Sequence, residues 1–119
     1  MEQPQNQPSP FTVLIKSDRM GSGNDDLGKI LIRGFLNALI KQPQLPTHII
    51  LYNGGVLLAV EGTDTATTLY ELEQKGIEIL LCGTCCDFFQ IKEKIKAGTI
   101  SNMMQITATL IEAPKIVEP

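Results

Sequence analysis

The stretch "LLCGTCCDFF" places Cys82, Cys85 and Cys86 within five positions, and these are the only cysteines of the chain. Clustered thiols suit three roles: a nucleophile or sulfur carrier, a metal site, or small fillers of a core. In the first reading Cys82 ends a strand while Cys85 and Cys86 open a helix. The unpaired N–H groups and dipole there favour a thiolate and lower a thiol's pKa. The C-x-x-C spacing of Cys82 and Cys85 also allows two sulfurs to approach disulfide distance. Zinc asks for four ligands, whereas the chain offers three crowded cysteines and one histidine, His48, in a predicted strand; no metal and no cofactor are expected. Cysteine is also among the most buried residue types, which keeps the core-filler reading open.

Two glycine-bearing turns accompany the thiols. The first, "MGSGNDDLG" (20–28), lacks the Gly-Lys-Ser/Thr ending of a phosphate-binding loop, and glycines at 21, 23 and 28 miss the dinucleotide spacing. As a plain turn, its glycines supply positive φ and Asp25 or Asp26 caps the following helix. As a site, the backbone of Gly21, Ser22, Gly23 and Asn24 would hold a small oxyanion or a persulfide beside the cysteines. The second turn is Asn53-Gly54-Gly55, which stops an apolar run.

Elements must position these residues. "FTVLIKS" (11–17), "THIILYN" (47–53) and "IEILLC" (77–82) are apolar, β-branched runs of strand length. "DLGKILIRGFLNALIKQ" predicts a helix with Leu27, Ile30, Leu31, Gly34, Phe35, Ala38 and Leu39 on its packed face, ending before Pro43. Asp64 is expected to cap a helix "TATTLYELEQK" that ends at Gly76. "DFFQIKEKIKAG" (87–98) reads as a helix with Phe88, Ile91 and Ile95 inward. Asn102 is placed to cap "MMQITATLIEA", Pro114 stops that helix, and "KIVE" (115–118) forms a short edge strand. The run "VLLAV" (56–60) has no decisive period.

Near-continuous apolar strands alternating with amphipathic helices predict an α/β fold: a three-layer α/β/α sandwich on a mainly parallel sheet. Ligand sites of such sheets lie beyond the carboxyl ends of the strands. That rule gathers the glycine-rich turn, "NGG" and "CGTCC" at one edge, with the cysteines in a cleft. The chain has 119 residues, enough for one domain with a real core; residues 1–10, rich in Pro and Gln, read as a disordered leader or linker remnant and 11–119 as the domain. A net charge of −3 supplies no basic field, so neither nucleic acid nor a membrane surface is an expected partner. With no secretory signal and no disulfide framework, the expected location is cytoplasmic.

The segments "DRMGSGNDDLGKILIRGFL", "ILYNGGVLLAVEG", "LEQKGIEILLCGTCCDFFQIKEKIKAGTISNMMQI" and "APKIVEP" resemble, in that order, the carboxyl-terminal domain of YedF-type proteins of the DsrE/DsrF-like sulfur-relay superfamily. The resemblance spans roughly residues 11–119. It implies about five parallel strands, a homo-oligomer of three or six chains, and a role in sulfur transfer or selenium metabolism with sulfane sulfur carried on a cysteine. Cys82 and Cys85 match the family's C-G-x-C pair, and Asn53 with Gly55-Val56 match its second-strand turn. Cys86 stands where related sequences carry an aliphatic residue. Ten residues stand where a TusA-like carrier domain usually precedes, which makes a separate TusA-like protein a candidate partner. The competing class is a non-catalytic oligomeric interaction or scaffold protein with structural cysteines.

Overall fold

The computed structural model describes residues 10–119; of the expected leader only Pro10 falls among the described residues. Five strands form one sheet in the order β4-β3-β2-β1-β5, every neighbouring pair parallel. They are β1 (Thr12–Ile15), β2 (His48–Leu51), β3 (Glu78–Cys82), β4 (Thr99–Ser101) and β5 (Ile116–Val117). The helices are α1 (Asp25–Leu39), α2 (Asp64–Gln74), α3 (Gly83–Phe88) and α4 (Met103–Glu112).

Strand period sorts the core into two layers. Val13, Ile15, Ile49, Leu51, Ile79 and Leu81 face α1 and α2, where Ile32, Leu36, Leu39, Leu69 and Leu72 bury against them. Leu14, Ile50, Leu80 and Cys82 face the other way, onto Ile106 and Leu110 of α4. The connections running β1 to β4 lie on the first face. The long return to β5 places α4 on the second, which makes the three layers of the expected α/β sandwich.

Differences from the sequence expectation are local and have physical causes. The helix expected over 87–98 is absent. α3 starts at Gly83 and ends at Phe88 with Phe89 as its cap, and Gln90 takes a left-handed φ of 59° that no helix continues through. A 3₁₀ turn at Lys92–Lys94 follows, and Gly98 at φ 89° leads into β4, a strand too short and exposed to show a pattern. Phe88, expected inward, is 80% exposed.

On α1 the buried stripe is Gly28, Ile32, Leu36 and Leu39. Leu27, Ile30, Leu31, Gly34 and Ala38 of the expected stripe are exposed. This helix carries two adjacent apolar stripes, and helical period alone does not say which one the sheet receives. The caps also shift: Asn24, not Asp25 or Asp26, accepts the Leu27 N–H at 2.9 Å, and Thr63, not Asp64, accepts the Ala66 N–H at 3.1 Å. The undecided run at 56–60 is mostly a 3₁₀ turn, Asn53–Ala59, from which Val60 bridges to Ile95.

Candidate functional site around Cys85

The site is built where β2 and β3 end. Cys82 closes β3 in extended backbone and Gly83 begins α3 with no intervening loop. This tight junction is set by packing: a Cβ on Gly83 would lie 2.7 Å from the Ser101 carbonyl oxygen of β4. The three thiols therefore diverge. Cys82 points to the α4 face and is buried, Cys86 is buried on the opposite face, and Cys85 packs against both cores and is the one cysteine that is part exposed.

Cys85 is held from the β2 side. The Asn53 N–H donates to its Sγ at 3.0 Å. Asn53 does so from a left-handed φ of 51°, a conformation asparagine tolerates better than most side chains. Gly55 makes this turn possible, since a Cβ there would sit 2.3 Å from the Ile15 carbonyl oxygen. Cys82 is the neighbouring thiol that acts on Cys85.

Burial, followed by the Cys82 thiol, pushes the Cys85 thiol up from its ordinary value, while the Asn53 N–H pulls it down. This reverses the expected depressed pKa. A six-residue helix has a weak dipole, and no cation stands among the groups acting on Cys85. Cys86 is pushed up to about 11, mainly by burial, with Cys85 and Cys82 adding to the effect. Among the described residues, all three cysteines are free and no group of three or more His, Cys, Asp or Glu side chains is placed to hold a metal ion. His48 lies at the other end of the sheet, bonded to Thr47 and paired with Glu78.

A cavity of about 400 Å³ opens over Cys85, lined by Asn53, Thr84, Cys85, Phe88 and Phe89. Thr84, Phe88 and Phe89 were not among the residues expected from sequence. The two aromatics are visible in "DFF", but the expected helix turned Phe88 inward. Of the residues that were, Asn53 and Cys85 meet here, with Cys82 behind them. Gly54 packs towards Ser17 and Asp18, Cys86 faces the core, and Asn102 caps α4 by accepting the Gln105 N–H at 2.9 Å. Gly21, Ser22, Gly23 and Asn24 follow β1 on the same sheet edge but do not line this cavity. Gly21 and Gly23, at φ 80° and 137°, have open space around them.

No family model matches the chain, and no curated protein matches it. Solved structures do. The ychN protein of E. coli superimposes with a TM-score of 0.63 at 13% identity, covering 92% of this chain and 99% of that one. The conserved protein BT1422 of Bacteroides thetaiotaomicron, described as of unknown function, gives 0.62 at 25% identity, covering 91% and 94%. MTH1491 of Methanobacterium thermoautotrophicum, also of unknown function, gives 0.62 at 16%, covering 92% and 99%. The shared fold is the DsrE-like α/β architecture with a five-stranded parallel sheet. Among the described residues no helix is long and apolar enough to cross a membrane.

Proposed function

We propose that this chain accepts and relays sulfane sulfur, or selenium, on Cys85, with Cys82 as the thiol that resolves the loaded form. The observation that carries this reading is the setting of Cys85: part exposed, bonded by a backbone N–H, beside a second thiol and open to a cavity. Its raised pKa keeps the empty thiol largely protonated at neutral pH, which limits its oxidation. A persulfide is a stronger acid than the thiol it replaces, so the loaded form ionises more readily and uses the same Asn53 donor.

The test is mass spectrometry of the native protein after exposure to a persulfide donor. One added sulfur at Cys85, absent in Cys85→Ser and discharged more slowly in Cys82→Ser, is the expected result. Labelling of all three cysteines only in denaturant would favour the reading of a scaffold with structural thiols.

One observation favours assembly alongside either reading. Leu27, Ile30, Leu31, Gly34 and Ala38 form an exposed apolar stripe on α1, and Met104 and Ile111 of α4 are 83% and 78% exposed. Apolar patches of this kind mark interaction surfaces. Three or six copies are expected by light scattering, and a TusA-like carrier is the candidate heterologous partner. A strict monomer at micromolar concentration would remove the homo-oligomer.

A further inference from the structure

The lining of the Cys85 cavity bears on what delivers the sulfur. None of Asn53, Thr84, Phe88 and Phe89 carries a charge. The nearby cation on α3's far side, Lys92, is engaged 3.0 Å from Asp87. Phe88 and Phe89 meet edge to face, ring centroids 5.4 Å apart and planes at 87°. Phe89 is anchored on the core, whereas Phe88 is 80% exposed and stands at the rim. A dianion entering here would shed water with no cation to replace it. A flat apolar group would instead gain ring contacts and cover Phe88. The volume of about 400 Å³ lies within the range of small-ligand pockets.

We propose that this cavity is a donor subsite for small organic persulfides whose carrier group is uncharged and apolar, aromatic carriers above all, and that it discriminates against anionic donors such as thiosulfate. The sulfur-transfer part rests on the relay reading above; the preference of the cavity does not. In the transfer, the Cys85 thiolate attacks the outer sulfur of R–S–SH. A Cys85 S–S bond forms, the donor's own S–S bond breaks, and its pair of electrons leaves with R–S⁻. The outer sulfur keeps its proton, so no external oxidant or reductant enters.

The experiment compares alkylation of Cys85, located by peptide mapping, by N-benzyl iodoacetamide and by iodoacetate. The ratio of the two rates is referenced to N-acetylcysteine. The native protein is expected to exceed the reference ratio by about tenfold, Phe88→Ala to fall about fivefold below the native protein, and Phe88→Lys to swing towards iodoacetate. A parallel arm loads the protein with benzyl hydropersulfide or with thiosulfate and follows the mass gained at Cys85. A native alkylation ratio within about twofold of N-acetylcysteine, or a ratio indifferent to both Phe88 substitutions, overturns the subsite even if sulfur is transferred. A selective alkylation ratio with no sulfur gained from either donor leaves the subsite standing and removes the relay reading instead.

Discussion

Two strand-to-helix junctions share one edge of the sheet and solve the same problem in opposite ways. Between β1 and α1 the chain spends a long turn, in which Arg19 pairs with Asp25 at 2.8 Å, Met20 bonds back to Gly28, and Gly21 and Gly23 sit in open space. Between β3 and α3 it spends nothing: Cys82 is the last strand residue and Gly83 the first helical one. The glycines of the first junction are required by dihedral angle. Gly83 is required by proximity to Ser101, because its φ is not in the left-handed region. A junction closed by backbone contact holds its thiols in fixed directions, whereas an open one presents mainly backbone to solvent. The glycine-rich loop is the more conspicuous in sequence, yet the part-exposed thiol and its cavity lie at the other junction.

The largest expected effect breaks that contrast if it fails. Gly83→Ala should cost about 2–3 kcal/mol in urea unfolding, because the atom it meets is a backbone oxygen that cannot swing aside. It should also disturb Cys85 alkylation, since Cys85 lies two residues on. Gly21→Ala should cost about 1 kcal/mol through its φ alone and leave Cys85 untouched. Equal costs at the two positions, or a Cys85 rate that responds to Gly21, would erase the distinction.

The central strands and the parallel architecture were open to sequence reading because Thr12–Ile15, His48–Leu51 and Glu78–Cys82 are apolar on both faces, the mark of a covered parallel strand. What escaped was decided by tertiary contact. The apolar composition of α1 fits either of two stripes, and only docking on the sheet selects Ile32 and Leu36. α3 ends early because Gln90 turns left-handed, which no propensity foretells, and that early end swings Phe88 to the cavity rim. The Cys82/Cys85 pair could be read from spacing. The part of Asn53 could not, since it acts through a backbone N–H across 32 residues of sequence.

A second, intermediate effect uses the buried thiol of the tight junction. Cys86 is pushed up to about 11, mainly by burial, against about 8.5 for a free thiol. The folded state thus holds this proton longer than the unfolded one. The associated stability is fully present below about pH 8.5 and is lost as pH rises towards about 11, with Cys85 acting in the same direction. The shift bounds the loss ascribed to Cys86 at about 3 kcal/mol. Urea midpoints compared between native protein and Cys86→Ala would isolate it: the variant begins lower, by the cost of a small cavity, and declines less steeply over the same interval. Parallel declines would mean that Cys86 ionises as freely as an unfolded thiol.

The smallest expected effect sharpens the comparison most, because it asks whether the tight junction needs a side chain or only a backbone path at Asn53. The residue sits at φ 51° and reaches Cys85 through its N–H. Glycine adopts that φ without steric cost and keeps the donor, so Asn53→Gly should change the pH midpoint of Cys85 alkylation by less than about 0.3 units and stability by less than about 0.5 kcal/mol. Valine keeps the donor chemically but resists the left-handed region. Asn53→Val should therefore turn the N–H away, raise the Cys85 midpoint further and destabilise the turn. If the glycine variant behaves like valine, the asparagine amide itself acts on the thiol. If both variants leave the midpoint in place, the 3.0 Å contact has no hold on Cys85, and burial with Cys82 alone governs its ionisation.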